Sequence, residues 1–161
     1  MGLMIGILAL VSLASCAFMF TMYVLRVIGR WRMFKKAGFH GWHSLIPVLN
    51  AHDWFDMAGF NKSVTAIGTV AIGILILVVL FSCILPDSEQ VNYRFLWIYD
   101  VIGYTGRASL IITVVLHLVS FFTIPKKFGK SRANGFLFVF FPDIMCLVAG
   151  FSWNWKYKGR N

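Results

Sequence analysis

The fold class this chain predicts is an all-α membrane protein, on two observations. Four long apolar stretches fill most of its length, and its bases gather in the short segments between them. With 59% hydrophobic and 13% charged residues, the composition lies far from the soluble average of about 25% charged. The stretches run over 3–25, 64–85, 98–122 and 136–155, and a helix needs about 20 mostly apolar residues to cross the hydrocarbon core. We therefore expect a single integral membrane domain over 1–161 with about four transmembrane helices. An interfacial amphipathic segment is expected between the first and second, and the last helix is kinked or re-entrant at Pro142.

The first stretch contains Leu13-Ala14-Ser15-Cys16, a lipobox-like run. No Lys or Arg precedes it, and the apolar run continues to Leu25, so an uncleaved first span is the better reading. Gly2 does not fit the myristoylation pattern, because Gly6 stands where Ser or Thr is required. Cys16, Cys83 and Cys146 fall within apolar stretches and read as buried thiols, not a disulfide framework.

The segment 26–63 carries Arg26, Arg30, Arg32, Lys35, Lys36 and Lys62, interleaved with Trp31, Phe34, Trp42 and Trp54. Basic and aromatic residues mixed in this way fit the headgroup level, where anionic lipids attract Lys and Arg. A helix from Trp42 should break near Pro47, and a second over Ala51 to Met57 should lie on the bilayer with Trp54 and Phe55 inward. The net charge of +9 is thus accounted for by topology and lipid, not by nucleic acid.

The loop 123–135 carries Lys126, Lys127, Lys130 and Arg132, whereas Pro86 to Trp97 has Arg94 as its only base, with Asp87 and Glu89. The positive-inside rule then makes 26–63 and 123–135 cytoplasmic and puts the N-terminus outside. The tail dissents. Lys156, Lys158 and Arg160 would be outside if the fourth stretch crossed once, and Pro142 within that stretch kinks or breaks a helix. A kinked full span and a re-entrant hairpin that returns the tail to the cytoplasm both stay open.

Polar residues inside the apolar stretches are costly, at least about 2.5 kcal/mol for a charge near the centre of a span. Asp100, Tyr104 and Arg107, spaced by four and three, share one helical face, and His117 points elsewhere. Asp143 lies in the fourth stretch. These residues read as a structural pair of Arg107 with Asp143 or Asp100, or as a transport or proton-relay path. A second constellation comprises His40, His43, His52, Asp53 and Asp56, residue types that can hold a divalent ion. Solvated or headgroup-facing side chains are the plainer reading, and no cofactor is expected.

Lys35-Lys36-x-Gly and Lys126-Lys127-x-Gly form a short internal echo, too brief to establish a repeat. The first lies in a distinctive run with Lys36-Ala37-Gly38, Gly41-Trp42, Ile46-Pro47 and Asn50. The second half adds Phe128-Gly129-Lys130, Phe141-Pro142, Gly150-Phe151 and Tyr157. This order of Gly, Pro and aromatic positions resembles an uncharacterised family of small multi-span bacterial membrane proteins, a domain of unknown function often labelled signal peptidase I. The resemblance implies a multi-span fold in a bacterial cytoplasmic membrane and carries no activity. The peptidase label itself requires a Ser–Lys pair on an extracytoplasmic β-rich domain, for which this chain has no room.

Three functions are compatible with these residues. The first is a non-enzymatic scaffolding or regulatory subunit, bound to another membrane protein or to itself, with small residues such as Gly68 and Gly73 favouring close helix packing. The second is a small oligomeric transporter or channel using Asp100, Arg107 and Asp143. The third is a lipid-directed enzyme with His40, His43 and Asp53 at the headgroup level.

Overall fold

A computed structural model of the protein describes residues 2–84 and 96–159. These form six α-helices and a 3-10 turn, with no strand among the described residues: α1 (Gly2–Ala37), the turn Gly41–Leu45, α2 (Pro47–Ala58), α3 (Lys62–Ile84), α4 (Leu96–Lys127), α5 (Asn134–Phe140) and α6 (Pro142–Phe151). Three of them, α1, α3 and α4, are long and apolar enough to cross a membrane. The expected acidic loop with Asp87, Glu89 and Arg94, and the terminal Arg160, lie outside the described residues.

Helix α1 continues past the first apolar stretch because no proline interrupts Arg26 to Ala37, and its Arg, Lys and Met residues favour helix. It stops at Gly38, which adopts φ +85°. There the Phe39 N–H donates to the Phe34 carbonyl at 2.9 Å and the Gly38 N–H to the Lys35 carbonyl at 3.2 Å, a Schellman closure. Helix α4 stops in the same way at Gly129, with the Lys130 N–H on the Pro125 carbonyl at 2.8 Å. The Lys-Lys-x-Gly echo is therefore a helix-stop signal used twice: lysines favour the negative end of the helix dipole, and glycine takes the left-handed position.

Pro47 opens a helix where the sequence reading had it break one. It occupies the first turn of α2, where its missing N–H costs nothing. Nor does α2 lie on the surface. Trp54, Phe55 and Met57 are fully buried, and α2 packs between α3 and α4. Trp54 meets Phe121 and Phe138 edge-on, and Phe55 meets His117. Trp54 and Phe55 thus face protein, not lipid, because α1 extends far enough to bring this segment under the bundle.

No continuous fourth helix forms over 136–155. Phe141 takes φ −134° and ψ 59°, Pro142 starts a new helix, and the chain reverses. Helix α5 packs on α4, with Phe138 stacked on Phe121 at 6.3 Å. Helix α6 runs parallel to α1, its Asp143 beside Arg26 and its end beside Lys36. The tail therefore arrives where α1 and α4 end, and the Lys158 N–H donates to the Lys127 carbonyl at 2.7 Å. Helices α5 and α6 thus form a hairpin that gathers Lys35, Lys36, Lys126, Lys127 and Lys158 at one basic end of the bundle.

The core lies at that end. Met33 and Phe34 of α1, Trp54 and Phe55 of α2, Ile124 of α4 and Phe138 of α5 form one cluster with Cys146, Ala149 and Trp155. The far half of α1 is bare. Leu8, Leu10, Val11 and Leu13 point in different directions around the helix at about 100° per residue, and all are at least 59% exposed. Cys16 and Cys83 are also exposed, and of the three free thiols only Cys146 is buried as expected.

Helices α1 and α6 meet backbone to backbone. A Cβ on Gly29 would stand 2.9 Å from the Leu147 nitrogen, and one on Gly150 would stand 2.8 Å from the Gly29 oxygen. Gly29→Val should therefore destabilise the protein by about 1–3 kcal/mol. Gly73→Val, where a Cβ meets nothing within 4 Å, should shift it by less than about 0.5 kcal/mol. Thermal unfolding in a mild detergent checks this, and equal losses would rule out the packing described.

Candidate functional site

Polar side chains from four separate segments converge on a cavity of about 230 Å³, lined by Tyr23, Arg26 and Arg30 of α1, Ser44 of the 3-10 turn, Asn50 of α2 and His117 of α4. Arg26 and Arg30 reach it together because four residues separate them, one helical turn. The Arg26 fork binds Asp143 twice, Nε to Oδ1 at 2.6 Å and Nη2 to Oδ2 at 3.0 Å. Asp143 sits in the first turn of α6, where the helix dipole favours an anion.

Arg30 is held differently. Its Nη1 donates to Asn50 Oδ1 at 2.9 Å, and its guanidinium carbon lies 4.7 Å from the centre of the Trp54 ring. Asn50 donates from Nδ2 to the Ser44 carbonyl at 3.1 Å. On the other side of the indole, Trp54 Nε1 donates to Ser120 Oγ at 2.7 Å, and Ser120 Oγ donates to the His117 carbonyl at 2.7 Å. A cation, an aromatic ring and a hydroxyl thereby tie α1 to α4 through α2.

Asp143 consequently pairs with Arg26, not with Arg107 as the spacing argument expected. Arg107 is exposed, as are Asp100 and Tyr104, and its guanidinium carbon lies 5.7 Å from the Tyr104 ring centre. The shared face of α4 is real, but it points out of the bundle. The spacing rule reaches only neighbours within one helix, whereas Arg26 and Asp143 stand 117 positions apart. One signal for the cluster was available: Arg26 and Arg30 at a four-residue interval, beyond an apolar run with no helix breaker.

Two of the histidines meet on one buried carboxylate, while His40 and His52 themselves stay exposed. His43 Nδ1 lies 2.5 Å from Asp53 Oδ2, and His52 Nδ1 lies 3.3 Å from Asp53 Oδ1. His40 stacks near His43 with ring centres 5.2 Å apart. Among the described residues, no three His, Cys, Asp or Glu side chains converge as metal ligands would. Buried Asp53 instead faces two imidazoles, one at each carboxylate oxygen.

The remaining motif residues are structural here. Lys36 Nζ donates to the Ala149 and Ser152 carbonyls at 2.8 and 2.7 Å, capping α6. Ala37 ends α1 and Ile46 is extended ahead of Pro47. Gly41 leaves room for the Trp31 indole, and the Trp42 ring meets His43 edge-on at 4.3 Å. Phe128 is buried against Trp155 and Tyr157, Lys130 Nζ lies 5.9 Å from the Trp155 ring, and Phe151 lies under Arg32 at 4.9 Å. Burial raises the Tyr157 phenol above its ordinary pKa, and its hydroxyl donates to the Met57 carbonyl at 3.3 Å.

No family model, no curated protein and no solved structure matches the chain.

The Arg26–Asp143 fork makes a direct prediction. In a double-mutant cycle, Arg26→Gln and Asp143→Asn should each destabilise the protein, and their combination should cost less than their sum by about 0.5–3 kcal/mol. Additive losses would mean that the two groups do not act on each other.

Proposed function

We propose that the chain is a non-enzymatic, polytopic protein of a bacterial cytoplasmic membrane and serves as a scaffolding or regulatory subunit of a larger membrane assembly. The observation that carries this reading is the bare half of α1, whose most apolar 18-residue window has 0% of its residues buried. In water an exposed patch of that size marks an interaction or membrane surface. In lipid it costs nothing and leaves a helix free for lateral packing, and the small residues Ala9, Ser12 and Cys16 on one of its faces suit close approach.

In this placement α1, α3 and α4 cross the bilayer, the α5–α6 hairpin enters from the cytoplasmic side and returns to it, and the N-terminus is outside. The Lys127–Lys158 backbone contact supports this arrangement, since it removes the conflict between the basic tail and the positive-inside rule. Kinship with the small bacterial membrane family belongs to the same proposal and rests on its Gly, Pro and aromatic positions. The transporter reading has less support, because Asp143 is matched by Arg26 and the Asp100–Arg107 face is turned outward.

Two measurements test the reading. Mild-detergent affinity purification of the tagged protein, with a photo-crosslinker at Leu10, should recover another membrane protein in stoichiometric amount. Recovery of this chain alone as a homo-oligomer would overturn the subunit assignment. In a background without native cysteines, Ser131→Cys and Trp153→Cys should both resist a membrane-impermeant maleimide in spheroplasts and react after permeabilisation. Labelling of Trp153→Cys in intact spheroplasts would overturn the hairpin topology.

A further inference from the structure

The cavity at Arg30 is one cation in excess. Of its two guanidiniums, Arg26 is matched by Asp143. Arg30 has no carboxylate within ion-pair distance among the described residues, and its contacts are the neutral Asn50 oxygen, the Trp54 ring and the buried Cys146 thiol. Four buried side-chain polar atoms lack a hydrogen-bond partner among the described residues, and two of them, Arg30 Nε and Ser44 Oγ, belong to the cavity's lining residues. Ser44 is only 4% exposed, so bulk water is poorly placed to satisfy its hydroxyl.

We propose that this cavity binds a phosphate-type monoanion, the phosphodiester of an anionic lipid headgroup, with Arg30 and Ser44 as its principal donors. A phosphodiester carries the single negative charge that the site lacks, and its oxygens accept from a guanidinium and a hydroxyl together. A zwitterionic headgroup would bring an ammonium back toward two arginines. The lipid source follows from the walls. Val27 and Ile72 contribute apolar surface to the cavity, and above Tyr23 the bare half of α1 offers a track for acyl chains. The lipid source rests on the membrane placement proposed above. The anion chemistry rests on the cavity alone.

Native mass spectrometry of the full chain in a mild detergent, titrated with phosphatidylglycerol or phosphatidylcholine, tests the proposal. One phosphatidylglycerol per chain should be retained at least about tenfold more tightly than phosphatidylcholine, a difference of about 1.4 kcal/mol. Arg30→Gln should abolish that preference. Ser44→Ala, which removes one oxygen and leaves the packing in place, should weaken it several-fold, and Lys156→Gln on the basic end should leave it unchanged. Equal retention of both lipids, or a preference that survives both Arg30→Gln and Ser44→Ala, overturns the proposal. Millimolar inorganic phosphate should not displace the lipid. Displacement would keep the anion site and overturn the lipid as its source. Release of the protein from membranes by alkaline carbonate would instead overturn the membrane placement, leaving the anion test to inorganic phosphate.

Discussion

The seating of α6 on the lower half of α1 is the contact on which the rest of the molecule depends. Two glycines let the backbones touch, and a polar clasp closes each end: the Arg26–Asp143 fork above and Lys36 on the last α6 carbonyls below. At the reversal the Phe141 N–H donates to the Leu137 carbonyl at 2.8 Å and the Met145 N–H to the Phe141 carbonyl at 3.0 Å, so the backbone stays paired where α5 gives way to α6. Once α6 is parallel to α1, the tail reaches α4, Trp155 closes over Phe128, and α5 brings Phe138 against Trp54. A substitution that parts the two helices would therefore open the core from several sides.

The same contact explains how cations are tolerated along an apolar helix. Four bases on the lower half of α1 have different kinds of partner: a carboxylate for Arg26, an aromatic face and an amide for Arg30, a phenyl ring for Arg32, and helix-terminal carbonyls for Lys36. Only the first of these cancels a full charge. The others distribute partial charge over dipoles and a ring quadrupole. That leaves Arg30 positive in a confined space, and such a charge is stable only where a counter-ion or polar medium can reach it.

Hydropathy made the three long helices legible, because a long apolar run is a local signal that needs no reference to the rest of the chain. Helix ends were half legible: the Lys-Lys-x-Gly echo was visible, and its meaning as a twice-used stop signal needed only the left-handed glycines. The pairing of Arg26 with Asp143 was not legible, since nothing local connects residues 117 positions apart. Trp54 misled for a physical reason. An indole among basic residues suits the headgroup level and a protein core equally well, and the choice was made by the extra turns of α1 that carry this segment inward. His43 and Asp53 illustrate the same limit, because their residue types fit a metal, a solvated loop or the hydrogen-bonded contact that forms.

The bundle thus has two tiers governed by different physics. At the basic end, aromatic packing and hydrogen bonds fix six helices around one core. In the far half no such force operates: α3 and α4 approach each other where Gly106 admits Val78, and α1 stands apart. Apolar helices surrounded by lipid gain little hydrophobic free energy by meeting, so association must come from packing and polar contacts, and the upper part of α1 offers the α3–α4 pair neither. Between them opens the cavity lined by Tyr23, Ile72 and His117. Arg30, Ser44 and Asn50 line it as well, so the tier that holds the protein together also places in this opening a guanidinium that has no carboxylate partner among the described residues.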